Sequence, residues 1–150
     1  MKYSFFIATV LVAFIIAACS KDKFTTVPQV KAKTVKPGIV RKGQVFTFTS
    51  SFTDDEGDVQ DTVIIVYKRF NGAAIYRIDT FNLKLNPGDI PNARQGDILV
   101  KFGYGELING TYFINLEPVD REASFGIIII DNAGNRSNYS ESDKFLLKRL

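Results

Sequence analysis

The 150-residue sequence has no histidine, no tryptophan and a single cysteine, Cys19. Without histidine, the chain cannot form a Ser-His-Asp triad, a histidine zinc site or an imidazole base that titrates near neutral pH. One cysteine excludes an intramolecular disulfide and a cysteine metal cluster. We therefore predict that the protein is not an enzyme. A hydrolase that uses two carboxylates in a cleft is the one catalytic alternative left open.

The charge balance does not favour a nucleic-acid partner. The chain carries 19 basic and 16 acidic side chains, a formal charge of +3. Loss of Lys2 with the N-terminal segment described next leaves 18 against 16. Nucleic-acid binding needs basic side chains gathered in a patch or stripe, and the sequence has no such cluster. We predict no nucleic-acid partner.

The first 19 residues have the order of a secretory signal. Lys2 precedes an apolar run of 14 residues, 5–18, and the small residues Ala17 and Ala18 stand before Cys19. A membrane-spanning helix needs about 18 or more apolar residues, so a permanent transmembrane anchor is the weaker alternative.

The tetrapeptide Ile16-Ala17-Ala18-Cys19 resembles the lipobox of bacterial lipoprotein precursors. This resemblance implies cleavage between Ala18 and Cys19, followed by acylation of the Cys19 thiol and of the new amino terminus. Two or three acyl chains give durable membrane attachment, whereas one chain binds only marginally. The alternative is an ordinary signal peptide with an incidental cysteine.

The residues after Cys19 bear on the location of the protein. Residues 20–23, Ser-Lys-Asp-Lys, resemble the polar, acidic signal of some lipoproteins exported to the outer face of the outer membrane. We therefore expect a lipid anchor in the outer membrane with the domain at the cell surface, and the periplasmic face of that membrane is the alternative.

The chain divides into a signal peptide at 1–18, a flexible tether at 19–29 and one domain at 30–150. The tether is polar, then rich in threonine, and has no hydrophobic period. In the domain, short segments rich in β-branched and aromatic residues alternate with turn residues. The predicted strands are 30–35, 44–53, 62–70, 74–81, 98–104, 111–116, 125–130 and 145–150.

Individual strands carry specific expectations. In the second strand, Phe46, Phe48 and Phe52 share one face, which predicts that they lie in the core. Asn71-Gly72 predicts a hairpin with a type I′ turn. The four isoleucines at 127–130 predict a strand buried on both faces.

Seven to nine strands at this spacing are typical of an immunoglobulin-like antiparallel β-sandwich, so we predict an all-β fold of that type. The chain cannot form the disulfide and the buried tryptophan of antibody domains, because it lacks those residues. It resembles instead the cysteine-free Ig-like modules of bacteria.

Two acidic turns are the most chemically suggestive passages of the domain. Asp54, Glu56 and Asp58 are spaced two residues apart around Gly57, so that a curled loop can direct several oxygens at one point. Calcium takes six to eight oxygen ligands, so further ligands must come from elsewhere. The available acids are Asp61 and Asp131, the latter in the turn at 131–135.

The first turn resembles the D-x-D-G-D turn of polycystic-kidney-disease-type and cadherin-like modules. The second resembles the D-x-A-G-N-x-S turn before the last strand of many bacterial Ig-like domains. The spacing of the acids, together with this resemblance of the two turns, leads to the hypothesis of a Ca²⁺ site made by Asp54, Glu56, Asp58, Asp61 and Asp131. The alternative is that these acids are turn formers that accept hydrogen bonds from their own backbone amides.

These observations lead to a functional expectation without a named ligand. We expect a non-catalytic, lipid-anchored binding module whose partner is an envelope protein or a glycan. A glycan-capture accessory lipoprotein is the alternative, and it requires exposed rings at Tyr67, Tyr76, Tyr104 and Tyr112. A purely structural spacer is a third possibility.

Overall fold

The computed structural model describes residues 25–59, 62–84 and 93–150, which form ten β-strands. Within these ranges, no helix has the length and apolar character needed to cross a membrane. The strands are β1 (Gln29–Lys36), β2 (Ile39–Arg41), β3 (Val45–Thr53), β4 (Thr62–Asn71), β5 (Ala74–Lys84), β6 (Gln95–Tyr104), β7 (Tyr112–Ile114), β8 (Arg121–Ile130), β9 (Ser140–Glu141) and β10 (Phe145–Lys148).

The strands form two sheets that enclose one core. The first sheet has the order β1-β3-β6-β7, and the second has the order β2-β10-β8-β4-β5 with β9 paired to β8. In the second sheet β8 lies between β4 and β10, as strand F lies between C and G in immunoglobulin domains. The predicted all-β, immunoglobulin-like sandwich is confirmed. Two pairings, β2 with β10 and β6 with β7, are parallel, so the sheets are mixed rather than wholly antiparallel.

Alternation of apolar and polar residues explains which side chains reach the core. β3 and β4 each bury every second residue, because successive side chains of a strand point to opposite faces. The predicted core positions Phe46, Phe48 and Phe52 are all buried. Within the isoleucine run of β8, Ile127, Ile128 and Ile129 are buried and the terminal Ile130 is half-buried.

Phe125 of β8 is the centre of an aromatic cluster that joins the two sheets. Its ring centroid lies 4.6 Å from that of Phe102 and 5.3 Å from those of Tyr67 and Phe145. The ring centroids of Phe46 and Phe48 lie 6.0 and 5.4 Å from that of Phe125. Aromatic pairs at these separations contribute about 0.5–1.5 kcal/mol each beyond their burial of apolar surface.

Two local predictions need correction. The hairpin at Asn71-Gly72 is present, but the type I′ turn is wrong, because only Gly72 has a positive φ (61°). The two-residue loop is Gly72-Ala73, and glycine at its first position matches a type II′ turn. The predicted strand at 111–116 is shorter, since only Tyr112–Ile114 pairs with β6.

Polar side chains of residues 137–142 close one side of the sandwich. Asn138 accepts a hydrogen bond from the Val30 N–H (2.8 Å) and donates one to the Val30 carbonyl (2.9 Å). Ser140 Oγ accepts from the Ala32 N–H at 2.9 Å. Ser142 Oγ accepts from the Phe125 N–H at 3.1 Å. This segment therefore supplies partners to backbone groups of both β1 and β8.

Gly126 is required by the ring of Tyr139. A Cβ atom at position 126 would overlap the Tyr139 ring, so only glycine fits there in the present packing. Glu141 holds this ring in place, because the Tyr139 hydroxyl donates to Glu141 Oε2 at 2.8 Å. Lys68 Nζ donates to the same oxygen at 2.5 Å and lies 4.9 Å from the ring centroid.

We predict that Gly126→Ala lowers the free energy of unfolding by about 1–3 kcal/mol, because the added methyl displaces Tyr139. Urea unfolding of Gly126→Ala, Tyr139→Ala and the double variant measures the coupling. In a chain that already carries Tyr139→Ala, Gly126→Ala should lower the free energy of unfolding by clearly less than it does in the wild type. Gly38→Ala is the control, because a Cβ at that position meets open space. An equal cost in both backgrounds would contradict this account.

Candidate metal site

The two acidic turns meet at one end of the sandwich. Residues 54–58 follow β3, and residues 131–135 follow β8. A backbone hydrogen bond from the Asn132 N–H to the Asp58 carbonyl, 3.1 Å long, joins the two turns. The strand order of the two sheets, and not proximity in sequence, brings these turns together.

Three carboxylates converge at this junction. Asp54, Asp58 and Asp131 each place one carboxylate oxygen within 4.8 Å of the others. Asp54 and Asp131 are 0% and 1% exposed, and Asp58 is half-buried. Buried carboxylates are costly unless they are paired or bind a metal, so this arrangement requires an electrostatic explanation.

The carboxylates of Asp54 and Asp131 each accept hydrogen bonds from amide groups of the turn to which they belong. Asp54 Oδ2 accepts hydrogen bonds from the N–H groups of Gly57 (2.7 Å) and Asp58 (3.1 Å). Asp131 accepts from the backbone and side-chain amides of Asn135, at 2.7 and 2.9 Å. The turn-forming role that the sequence left as an alternative is therefore realised in both loops.

The remaining oxygens of two of these acids lack such partners. Asp54 Oδ1 and Asp58 Oδ1 are both buried and accept no hydrogen bond from any of the described residues. A buried acceptor without a hydrogen-bond partner lowers the free energy of unfolding by about 1–3 kcal/mol, and a charged acceptor lowers it by more. A cation held among the three carboxylates would satisfy both oxygens and offset the repulsion between them.

The electrostatic environment of Asp58 also favours a bound cation. Burial raises the pKa of Asp58 above its usual range, and the negative charges of Asp131 and Asp54 raise it further. In the absence of metal, the folded domain therefore holds a proton on Asp58 more tightly than the unfolded chain does. Protonated Asp58 therefore contributes to the free energy of unfolding at pH values below the pKa of this residue in the unfolded chain. The contribution is lost as the pH rises through the pKa of Asp58 in the folded domain.

The other predicted ligands are placed differently. Glu56 is exposed and does not belong to the group of converging carboxylates. Asp61 lies outside the described residues. Among the four of these five acids that the structure describes, the geometry groups Asp54, Asp58 and Asp131, and metal binding itself stays a prediction.

The predicted N-terminal features have a limited structural counterpart. Ala18 and Cys19 lie outside the described residues. The end of the predicted tether contacts the domain, because the Asp55 N–H donates to the Thr25 carbonyl at 3.0 Å and Pro28 is buried. The chain therefore enters the domain directly beside the acidic turn at 54–58.

The tyrosines named for glycan capture do not form one exposed row. Tyr67 and Tyr104 are fully buried, whereas Tyr76 and Tyr112 are exposed on β5 and β7. A cleft of about 430 Å³ lies between β5 and β6 and includes Tyr112. Among the described residues that line this cleft, Asp97 is the one acid, and it is bonded to Lys33 at 2.5 Å. The described lining residues of the cleft thus include one acid, whereas the hydrolase alternative needs two.

A buried charge network at the other end of the sandwich was missed in the sequence. Arg69 Nη1 donates to Glu117 Oε1 at 2.6 Å, and Arg69 Nη2 donates to Asp79. Arg121 lies 3.3 Å from the second oxygen of Glu117. The Glu117 N–H donates to the Tyr104 hydroxyl at 3.1 Å. Burial acts to lower the pKa of Arg69, but its hydrogen bond to Glu117 raises this pKa overall.

One signal for this network exists in the sequence. Alternation along β4 places Arg69 on the same face as Val63, Ile65 and Tyr67, which are core residues. A cation on a buried face requires an acidic partner. The identity of that partner depends on the loop before β8, which sequence periodicity does not describe.

Comparisons with known proteins assign no family. No protein-family model and no curated protein matches the chain. Solved structures that share part of its shape include the sporulation control protein Spo0M of Bacillus subtilis, with 8% identity, a TM-score of 0.42 and coverage of 81% of this chain and 49% of that one.

Two further structures are similarly distant. The alkylpurine DNA glycosylase AlkC of Pseudomonas fluorescens, bound to DNA containing an abasic site analog, has 10% identity and a TM-score of 0.39, with coverage of 82% and 31%. The CARDB domain of a Pyrococcus furiosus protein, in complex with di-metal ions, has 8% identity and a TM-score of 0.31, with coverage of 85% and 93%. The chain spans half or less of the first two proteins. At these scores the likenesses support no inference about function.

We predict that Glu117→Ala lowers the free energy of unfolding by about 3–5 kcal/mol, because it leaves buried Arg69 with only Asp79 as a charged partner. Urea unfolding measures the effect. The control is Glu122→Ala, which removes an exposed pair with Lys144 and should cost less than about 1 kcal/mol. Similar losses for the two variants would show that the buried network does not contribute as described.

Proposed function

We propose that this chain is a non-catalytic, lipid-anchored binding module of the outer membrane, in which Ca²⁺ stabilises an Ig-like domain that engages an envelope protein or a glycan. The observation that carries the calcium part is the convergence of Asp54, Asp58 and Asp131 with two buried, unpartnered oxygens among the described residues.

The donor set suits a hard cation. Carboxylate oxygens are preferred by Ca²⁺, which tolerates irregular geometry and completes its six to eight ligands with backbone carbonyls and water. Three carboxylates carry enough negative charge to offset the cost of dehydrating a divalent ion. The chain has no histidine and no free thiol besides Cys19, so softer ligands do not compete within the domain.

The position of the site gives the cation a further role. The Asp55 N–H binds the Thr25 carbonyl, so the acidic turn contacts the segment through which the chain enters the domain. Only five residues separate Cys19 from Thr25. A cation that makes the turn rigid would thereby hold the entering segment at Thr25 against the domain.

We predict that Ca²⁺ raises the melting temperature of the wild-type domain relative to a chelator, since a ligand at 100 times its Kd adds about 2.7 kcal/mol to stability. In Asp58→Asn the rise should disappear. In chelator this variant should melt higher than wild type at neutral pH, because the substitution removes a repelled charge.

The advantage of Asp58→Asn in chelator should grow as the pH rises through the raised pKa of Asp58, because the wild-type carboxyl loses its proton there and becomes charged. Glu56→Gln is the matched control. It changes an acid of the same turn outside the cluster and should keep the calcium response. Identical melts of wild type with and without Ca²⁺ would remove the calcium part of the proposal.

We predict that Cys19→Ala moves the protein from the membrane fraction to the soluble fraction and abolishes incorporation of labelled palmitate. Ser20→Ala is the control and should remain in the membrane. External protease on intact cells then separates the two faces of the outer membrane, since only a surface-exposed domain is cut. Membrane retention of Cys19→Ala would contradict the lipid anchor.

A further inference from the structure

β5 is a long strand at the edge of the second sheet. It has 11 residues, and among the described strands only β4 pairs with it. The opposite edge of the same sheet is β2, which has three residues. In the other sheet, Asn138 and Ser140 cover the outer edge of β1. A long edge strand presents unpaired backbone donors and acceptors and is a template for strand addition.

The side chains of β5 are unusually apolar for an exposed edge. Ile75, Tyr76 and Ile78 are 52%, 58% and 51% exposed. Natural edge strands are commonly protected by charged residues or proline; β5 has no proline, and its charged residues are Arg77, Asp79 and Lys84. A register shift between the Arg69 and Phe70 pairings, opposite Tyr76, adds an irregularity to this edge.

We propose that the outer edge of β5 pairs in antiparallel fashion with the same edge of a second copy of this chain, about a two-fold axis at Ile78. The two second sheets then form one continuous sheet. This association is independent of the lipid anchor and of the cation.

Symmetry restricts the possible registers. A two-fold axis that joins two antiparallel edges runs normal to the sheet and leaves each side chain on its own face. Directly opposed residues also share a face, because side chains alternate along each strand. The register must therefore place one residue opposite its own copy.

Charge selects Ile78 among the candidate centres. A centre at Ile78 places Arg77 opposite the partner's Asp79, and this pair occurs twice by symmetry. Centres at Arg77 or Asp79 would place like charges directly opposite each other, which is unfavourable. A centre at Thr80 makes no charge pair and places Ile78 opposite an asparagine, Asn82.

Arg77 and Asp79 are the side chains that would form ion pairs between the two copies. The Arg77 side chain is 61% exposed, and its one ion pair among the described residues is to Asp79 of its own strand, at 3.1 Å. Asp79 also accepts a hydrogen bond from Arg69 of the neighbouring strand β4, and its side chain is 36% exposed. In the pair, each Asp79 receives the second copy's arginine from across the interface.

Disulfide crosslinking tests the register directly. The full chain carrying Cys19→Ala has no other cysteine, so Ile78→Cys places a single thiol on the axis. Opposed residues in antiparallel strands are close enough for a disulfide. We expect Ile78→Cys to form a covalent dimer under mild oxidation, whereas Thr80→Cys and Asn82→Cys, which do not face their own copies, should form no disulfide crosslink.

A charge substitution tests the selection of the register. Arg77→Asp should weaken association about tenfold in sedimentation equilibrium, because both symmetric pairs become repulsive. Lys84→Asp is the matched control at the far end of β5 and should have little effect. Melting curves of each variant establish that the fold is retained.

Three outcomes would overturn the proposal. The first is a chain that remains monomeric at high concentration with no crosslink at position 78. The second is crosslinking of Thr80→Cys in place of Ile78→Cys, which would assign another register. The third is crosslinking of Ile78→Cys to a different protein in cells, which would assign the edge to another partner.

Discussion

The packing of Phe125 against five other aromatic rings is the interaction on which the remaining structure depends. Those rings come from both sheets, so the cluster fixes how the sheets face each other. Because β8 is held at the centre of its sheet, Gly126 meets Tyr139 on the outer face, and the strand ends at Asp131 beside the turn at 54–58. The apolar packing of Phe125 thereby sets the position of the polar residue Asp131, six residues further along the chain.

Among the described residues, the buried charged side chains lie near the two ends of β4. Thr62 pairs with Ile130 near the converging carboxylates, and Arg69 pairs with Ala123 near the buried ion network. The network balances its own charge, since Arg69 and Arg121 face Glu117 and Asp79. The carboxylate end has no such balance among the described residues, and for this reason it is the end where a cation would stabilise the fold.

Prediction from the sequence succeeded where a feature depends on local spacing. Alternation identified most strands and the core phenylalanines Phe46, Phe48 and Phe52, and glycine marked the hairpin after β4. It was less successful where a feature depends on partners. The strand at 111–116 is short because only three residues find a parallel neighbour. The side chains of Asn138 and Ser140 were unremarked because their partners on β1 are 108 residues away.

The sequence by itself determined the all-β class, the absence of imidazole chemistry, the lipobox-like N-terminus and the acidic spacing of Asp54, Glu56 and Asp58. These features follow from composition and from neighbours a few residues apart. Only the tertiary structure decided that Asp131 joins Asp54 and Asp58 while Glu56 is exposed and outside this group, and that Glu117 neutralises Arg69. Those contacts depend on the order of strands in the sheets, which long-range packing selects and local periodicity does not encode.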